Sequence, residues 1–177
     1  VILKGGLSTG GIKLIIAVFL GAVLSCYYYS HVFHRLLYAL VFLLFINFIN
    51  LMDLRPGRAI KVFLFLLVVL ALLGRFSNIR IFLPVIAAVP FYIKGEMNER
   101  YMLGDTGANL LGGMLGYYTI RVLSPVPAFA IASVLLLIQL AAEHYSISKF
   151  IETTPFLRHI DEMWRMKKDA DTGMDRV

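Results

Sequence analysis

Two stretches of this chain hold residues able to handle an anion or a metal ion. In Asn47-Phe-Ile-Asn50-Leu-Met-Asp53, two carboxamides and a carboxylate close an apolar run just before Arg55-Pro56-Gly57-Arg58. In the stretch from Gly95 to Asn109, a polar, charged loop runs into a second apolar segment at Asp105, which sits between Gly104 and Gly107. On a helix, Asn47 and Asn50 share a face one turn apart, and position 53 continues it. A carboxylate at the edge of an apolar helix is costly unless it has a partner or a task. Oxygen ligands with a few lysines and arginines nearby suit Mg²⁺ and a phosphorylated substrate. Mg²⁺ is typically held by one or two carboxylates, with phosphates and water completing its shell.

The elements that must position these residues are apolar helices. The chain has 177 residues, 59% hydrophobic and 16% charged, against about 25% charged for a soluble domain. The excess is arranged in long runs, which predicts an all-α, polytopic membrane bundle. Six segments are expected, at about 14–29, 36–52, 59–73, 81–93, 106–122 and 128–142. Pro84 and Pro90 are expected to kink the fourth, and 124–127 to form a tight turn. Residues 1–145 read as the transmembrane core and 146–177 as a tail. The tail alternates Phe150, Ile151, Phe156, Leu157, Ile160 and Trp164 with charged residues, a pattern for an amphipathic helix on the membrane surface.

Smaller features carry less chemistry. Lys4 to Lys13 is a Gly-rich stretch read as a surface loop, without the Gly-Lys-Ser/Thr spacing of a phosphate loop. Cys26 is the single cysteine, which excludes an intrachain disulfide and reads as a small buried apolar residue. His31 and His34 read as wetted residues of an interfacial turn. Gly112 and Gly116 form a Gly-x-x-x-Gly pair, which reads as internal helix packing with a homodimer face as the alternative.

Six spans place both termini on one side. Thirteen of the 17 lysines and arginines fall on that side, and Arg35, Arg75, Arg80 and Arg121 fall opposite. The positive-inside rule makes the first side cytoplasmic. All 11 acidic residues fall there too. Asp53 ends an inward-going segment and Asp105 starts an outward-going one, so both sit at the cytoplasmic membrane face. The basic residues track topology rather than a continuous patch, which argues against nucleic-acid binding.

Asn47 to Asp53 resembles the Asn-x-x-Asn-Leu-x-Asp motif of the polyprenyl-phosphate N-acetylhexosamine-1-phosphate transferases. This is the superfamily of bacterial glycosyltransferase family 4, related to the phospho-N-acetylmuramoyl-pentapeptide transferase. Met102-Leu-Gly-Asp105-Thr-Gly-Ala108 resembles its Met-Gly-Asp-Thr-Gly-Ser motif, and Leu7 to Lys13 resembles a loop of its bacterial members. The resemblance implies transfer of a sugar 1-phosphate from a UDP-sugar to a polyprenyl phosphate, with release of UMP, in cell-envelope polysaccharide synthesis. It implies Mg²⁺ as cofactor and the cytoplasmic face of the inner membrane as location. Asp105 would be the metal ligand and, with Asp53, catalytic. Asn47, Asn50, Asp53, Arg58 and Met102 would bind substrate, Met102 at the position of a base-stacking aromatic.

The chain departs from the pattern in lacking the family's adjacent Asp-Asp pair, which belongs to an earlier helix. The chain is therefore expected to be a C-terminal portion, working with N-terminal helices of the same or a separate chain. The histidine-rich loop of the peptidoglycan enzyme has no counterpart beyond His144, which argues against a muramoyl-pentapeptide substrate. The alternative is a non-catalytic relative acting as a membrane binding protein.

Overall fold

The computed structural model describes residues 9–98, 100–145 and 147–162, all of them helix, turn or short connection with no strand. Eight α-helices follow in order: α1 (Thr9–Tyr28), α2 (Val32–Met52), α3 (Arg58–Leu73), α4 (Leu83–Met97), α5 (Gly104–Val122), α6 (Pro125–His144), α7 (Ile147–Thr153) and α8 (Pro155–Glu162). A 3-10 turn, Ile79–Phe82, leads into α4.

The bundle is built around α2, which packs against α5, α1, α6 and α3. Its buried residues, among them Tyr38, Val41, Phe45 and Ile49, recur at helical spacing and meet Phe63 and Leu70 of α3 and Leu115 and Tyr118 of α5. The α2–α5 seam is close because α5 presents glycines. A Cβ on Gly112 would stand 2.6 Å from the Ile46 Cα, and one on Gly116 would stand 2.8 Å from the Phe42 Cα. The Gly-x-x-x-Gly pair is thus spent on internal packing, as its spacing suggests. Two helices start from left-handed backbone: Gly57 (φ 75°) precedes α3 and Gly104 (φ 67°) opens α5, a conformation that glycine adopts without a Cβ penalty.

Among the described residues, three helices are long and apolar enough to cross a membrane: Gly10–Tyr28, Val32–Met52 and Pro125–His144. The expected six are therefore three by this measure. At 1.5 Å per residue, the 16 residues of α3 and the 15 of α4 reach about 24 and 22 Å, short of a hydrocarbon core of about 30 Å. The glycines and polar residues of α5 lower its hydropathy.

Several local expectations are corrected. The helix α1 begins at Thr9, so Gly10 to Lys13 form its first turns rather than a loop. Pro84 starts α4 and Pro125 starts α6, where a missing N–H costs nothing, and only Pro90 is interior. Cys26 is exposed on α1 rather than buried. The segment after α6 is two short helices, with Thr154 between them and Pro155 opening the second, and Trp164 lies outside the described residues.

Gly112→Ala should destabilise the protein by about 1–3 kcal/mol, the usual cost of overpacking against backbone that cannot move aside. Gly113→Ala should be nearly neutral, because its nearest neighbour stands at 3.6 Å. Thermal unfolding of both variants in detergent checks this.

Candidate functional site

The start of α1, the end of α2, the start of α5 and the end of α6 meet at one end of the bundle. Lys13 is positioned by the early start of α1, and its Nζ lies 2.5 Å from Asp105 Oδ2. Asn50 of α2 donates to Asn109 of α5. Asn47, one turn earlier, donates to Gln139 of α6 at 3.0 Å, and Gln139 donates in turn to the Leu44 carbonyl at 2.8 Å. The two polar stretches, distant in sequence, thus form one cluster.

Asp53 is the C-cap of α2, and its N–H bonds back to Ile49 and Asn50. Its carboxylate accepts the Gly104 N–H and faces Glu96 and Asp105. Burial, then the neighbouring Glu96 charge, push the Asp53 carboxyl up to about 6; the Gly104 bond opposes this and Asp105 adds to it. Glu96, on the last turn of α4, is fully buried. Its Oε1 accepts the Leu103 N–H at 3.1 Å. Two further bonds tie the connection before α5: the Tyr92 hydroxyl donates to the Met102 carbonyl at 3.0 Å, and the Tyr101 hydroxyl donates to the Tyr92 carbonyl at 3.1 Å.

The cluster is the polar end of a groove of about 1070 Å³ between α1, α2 and α5. Lys13, Asn47, Asn50, Asp105, Asn109 and Gln139 line its head. Apolar residues of the same helices, including Leu20, Leu24, Phe42 and Met114, line its length. Such a shape fits an amphiphile with a charged head better than a wholly polar ligand.

Three of the substrate residues expected from the sequence do not line the groove. Asp53 sits at the α2 C-cap, outside its lining. Arg58 is 3% exposed and donates to Ser148 at 3.0 Å, beneath the segment that follows α6, and does not line the groove. The Met102 side chain is exposed outside the groove. Four members of the cluster were not singled out from sequence as site residues. Lys13 was placed in a loop, and Asn109 closed the polar stretch without a role. Gln139 is a lone carboxamide inside an apolar span, a signal in itself. Glu96 carries a signal of phase, being one helical turn beyond Tyr92 and Ile93.

The family resemblance implies Mg²⁺, and the donor set can be tested for it. Among the described residues, no three His, Cys, Asp or Glu side chains converge to cage a metal. However, Asp53 Oδ1, Asn50 Oδ1 and Glu96 Oε2 are buried oxygens without hydrogen-bond partners, and Asp105 is 73% exposed at the groove mouth. An excess of acceptors with unbalanced negative charge suits a cation completed by phosphate oxygens and water. The residues fit that mode of Mg²⁺ binding and not an all-protein cage.

No protein-family model, curated protein or solved structure matches this chain.

The raised carboxyl of Asp53 gives a pH prediction. Its proton is held more tightly in the folded state, so its contribution to stability is greatest below about pH 4 and falls as pH rises from about 4 to 6. Above about 6 the ionised group is a net cost. Asp53→Asn should therefore raise stability by about 1–2 kcal/mol at pH 7.5 and change it little at pH 4. Thermal unfolding at the two pH values reads this out, and an equal effect at both would contradict it.

Proposed function

We propose that this protein transfers a sugar 1-phosphate from a UDP-sugar to a polyprenyl phosphate, releasing UMP, at the cytoplasmic face of a bacterial inner membrane. The observation that carries the reading is the convergence of Lys13, Asn47, Asn50 and Asp105 at the mouth of a groove that is apolar along its length. A polyprenyl phosphate needs that combination: a slot for an isoprenoid chain and a charged, hydrogen-bonding end for its phosphate. The reading takes α3, α4 and α5 as tilted or partly shielded crossings, giving six spans with both termini cytoplasmic. It assigns to helices beyond these 177 residues the Asp-Asp pair that this chain lacks.

In this reading Lys13 attracts the lipid phosphate and leaves Asp105 as that phosphate arrives. Asp105, freed from Lys13, would be the residue that holds Mg²⁺, and the ion would supply charge neutralisation for the diphosphate. Asn47 and Asn50 orient the head group through their carboxamides. Asp53 and Glu96 hold the Leu103–Gly104 backbone and so set the position of Asp105. The apolar length of the groove takes the isoprenoid chain and leaves the acceptor phosphate at the mouth beside Lys13 and Asp105. Lys13 would offset part of the charge that two anions must lose before an in-line transfer can bring them together.

One observation favours a second reading. The Lys13–Asp105 ion pair satisfies Asp105 without a metal, as a protein that binds a lipid phosphate without transferring to it would need.

UMP release from UDP-N-acetylglucosamine and undecaprenyl phosphate, with Mg²⁺ and with the protein joined by the helices that carry the Asp-Asp pair, separates the two. Transfer predicts Mg²⁺-dependent UMP, reduced about 100-fold or more in Asp105→Asn with the fold intact. Turnover retained in that variant sinks the metal assignment. Saturable binding of the polyprenyl phosphate with no UMP release gives the second reading.

A further inference from the structure

A second cavity, of about 450 Å³, lies at the other end of the bundle. Asn78 and Arg80 of the turn before α4 line it, with Tyr117, Tyr118 and Arg121 of α5. Asp105 and Arg121 stand near opposite ends of α5, about 24 Å apart at the rise of a helix. The cavity is therefore distinct from the Asp105 cluster.

Its chemistry is that of an anion site. No Asp or Glu occurs in residues 1–52, 54–95 or 106–142, so no acidic residue belongs to the elements around it. The partners of Arg121 are neutral: Nη1 donates to the Tyr28 hydroxyl at 3.0 Å and Nη2 to Asn78 Oδ1 at 3.4 Å. The guanidinium also stands 5.0 Å from the Tyr28 ring centroid. These contacts fix the side chain and leave its charge uncompensated. Arg80 is exposed and has no hydrogen-bond or ion-pair partner among the described residues. Tyr118 is fully buried, and its hydroxyl has no partner. A buried phenol without a partner is a cost that a ligand oxygen would remove.

The negative end of the α5 dipole, which would repel an anion, is covered. The Tyr29 hydroxyl donates to the Ile120 carbonyl at 2.8 Å and the Tyr38 hydroxyl to the Leu123 carbonyl at 2.6 Å. Asn78 is held in place by left-handed backbone at Arg75, Phe76 and Asn78 (φ 50°, 58° and 55°). Two guanidiniums with amide and hydroxyl donors match the oxygens of a phosphate. The cavity also shares Ile81 and Tyr117 with the apolar groove, so a head group seated here can send a hydrocarbon chain into it.

We propose that this pocket binds the phosphate of an anionic phospholipid, with an acyl chain lying in the adjoining end of the groove. The site is separate from the transfer chemistry and does not depend on it. It ties the turn before α4 to α5 through a bound lipid, at the membrane face opposite the Asp105 cluster.

The test is thermal unfolding of the full chain in neutral detergent with dioctanoyl phosphatidylglycerol, dioctanoylglycerol or inorganic phosphate. Phosphatidylglycerol should raise the melting temperature in a saturable way, and the neutral diglyceride should not. Arg80→Gln should weaken the apparent affinity about tenfold, as loss of a charged hydrogen bond does, while leaving the lipid-free melting temperature unchanged. Tyr118→Phe keeps the ring and should weaken affinity several-fold without lowering lipid-free stability. Equal protection by inorganic phosphate assigns the pocket to a free anion and overturns the lipid. Protection unchanged in both variants, or absent with every probe, overturns the site.

Discussion

The structure depends on the close approach of α2 and α5. Gly112 and Gly116 bring the backbone of α5 against Phe42 and Ile46 of α2, at separations a Cβ would not permit. Everything at the polar end follows from that contact. It sets Asn50 opposite Asn109 and brings Asp53 to the Gly104 N–H. It also leaves room beside the seam, between α1, α2 and α5, for the groove. Helix association within lipid gains little from hydrophobicity and rests on packing of this kind.

The second constraint is electrostatic. Asp53, Glu96 and Asp105 are gathered near one another, and Lys13 pairs with Asp105. Burial, and after it the neighbouring Glu96 charge, raise the Asp53 carboxyl, so its ionised form is a cost in the folded protein. Groups with strongly shifted ionisation in a cleft mark functional sites more often than structural ones. At the opposite end the imbalance has the other sign, with Arg80 and Arg121 and no acid. Asp105 thus lies at the head of the groove, while Arg80 and Arg121 line the separate cavity at the other end of the bundle.

Much of this was legible in the sequence. Helical class, the polar stretches at 47–53 and 104–109 and the internal role of Gly112 and Gly116 follow from hydropathy, residue type and spacing. What was not legible depends on tertiary placement. A glycine-rich start reads as a loop, yet Gly10 and Gly11 lie in the first turns of α1 because the rest of that helix is long and apolar. This places Lys13 on Asp105. Arg58 looks like a phosphate ligand beside Pro56 and Gly57, but burial beneath the segment after α6 turns it to Ser148. Glu96 looks like one more loop charge, and only the extension of α4 to Met97 carries it into the interior. Hydropathy marks α3 and α4 as apolar segments, yet their 16 and 15 residues are shorter than a straight bilayer crossing, as the sequence already shows for the fourth segment.

The central claim is that the groove between α1, α2 and α5 holds the chain of a lipid phosphate whose head lies among Lys13, Asn47, Asn50 and Asp105. Photolabelling tests it most directly, using a polyprenyl phosphate that carries a diazirine in its isoprenoid chain, with adducts mapped by mass spectrometry. The account predicts adducts on groove residues such as Leu20, Leu24, Phe42 and Met114, suppressed by unlabelled polyprenyl phosphate. Adducts confined to exposed outer faces, such as Phe65, Leu72 and Phe91, and unaffected by competitor, would contradict it.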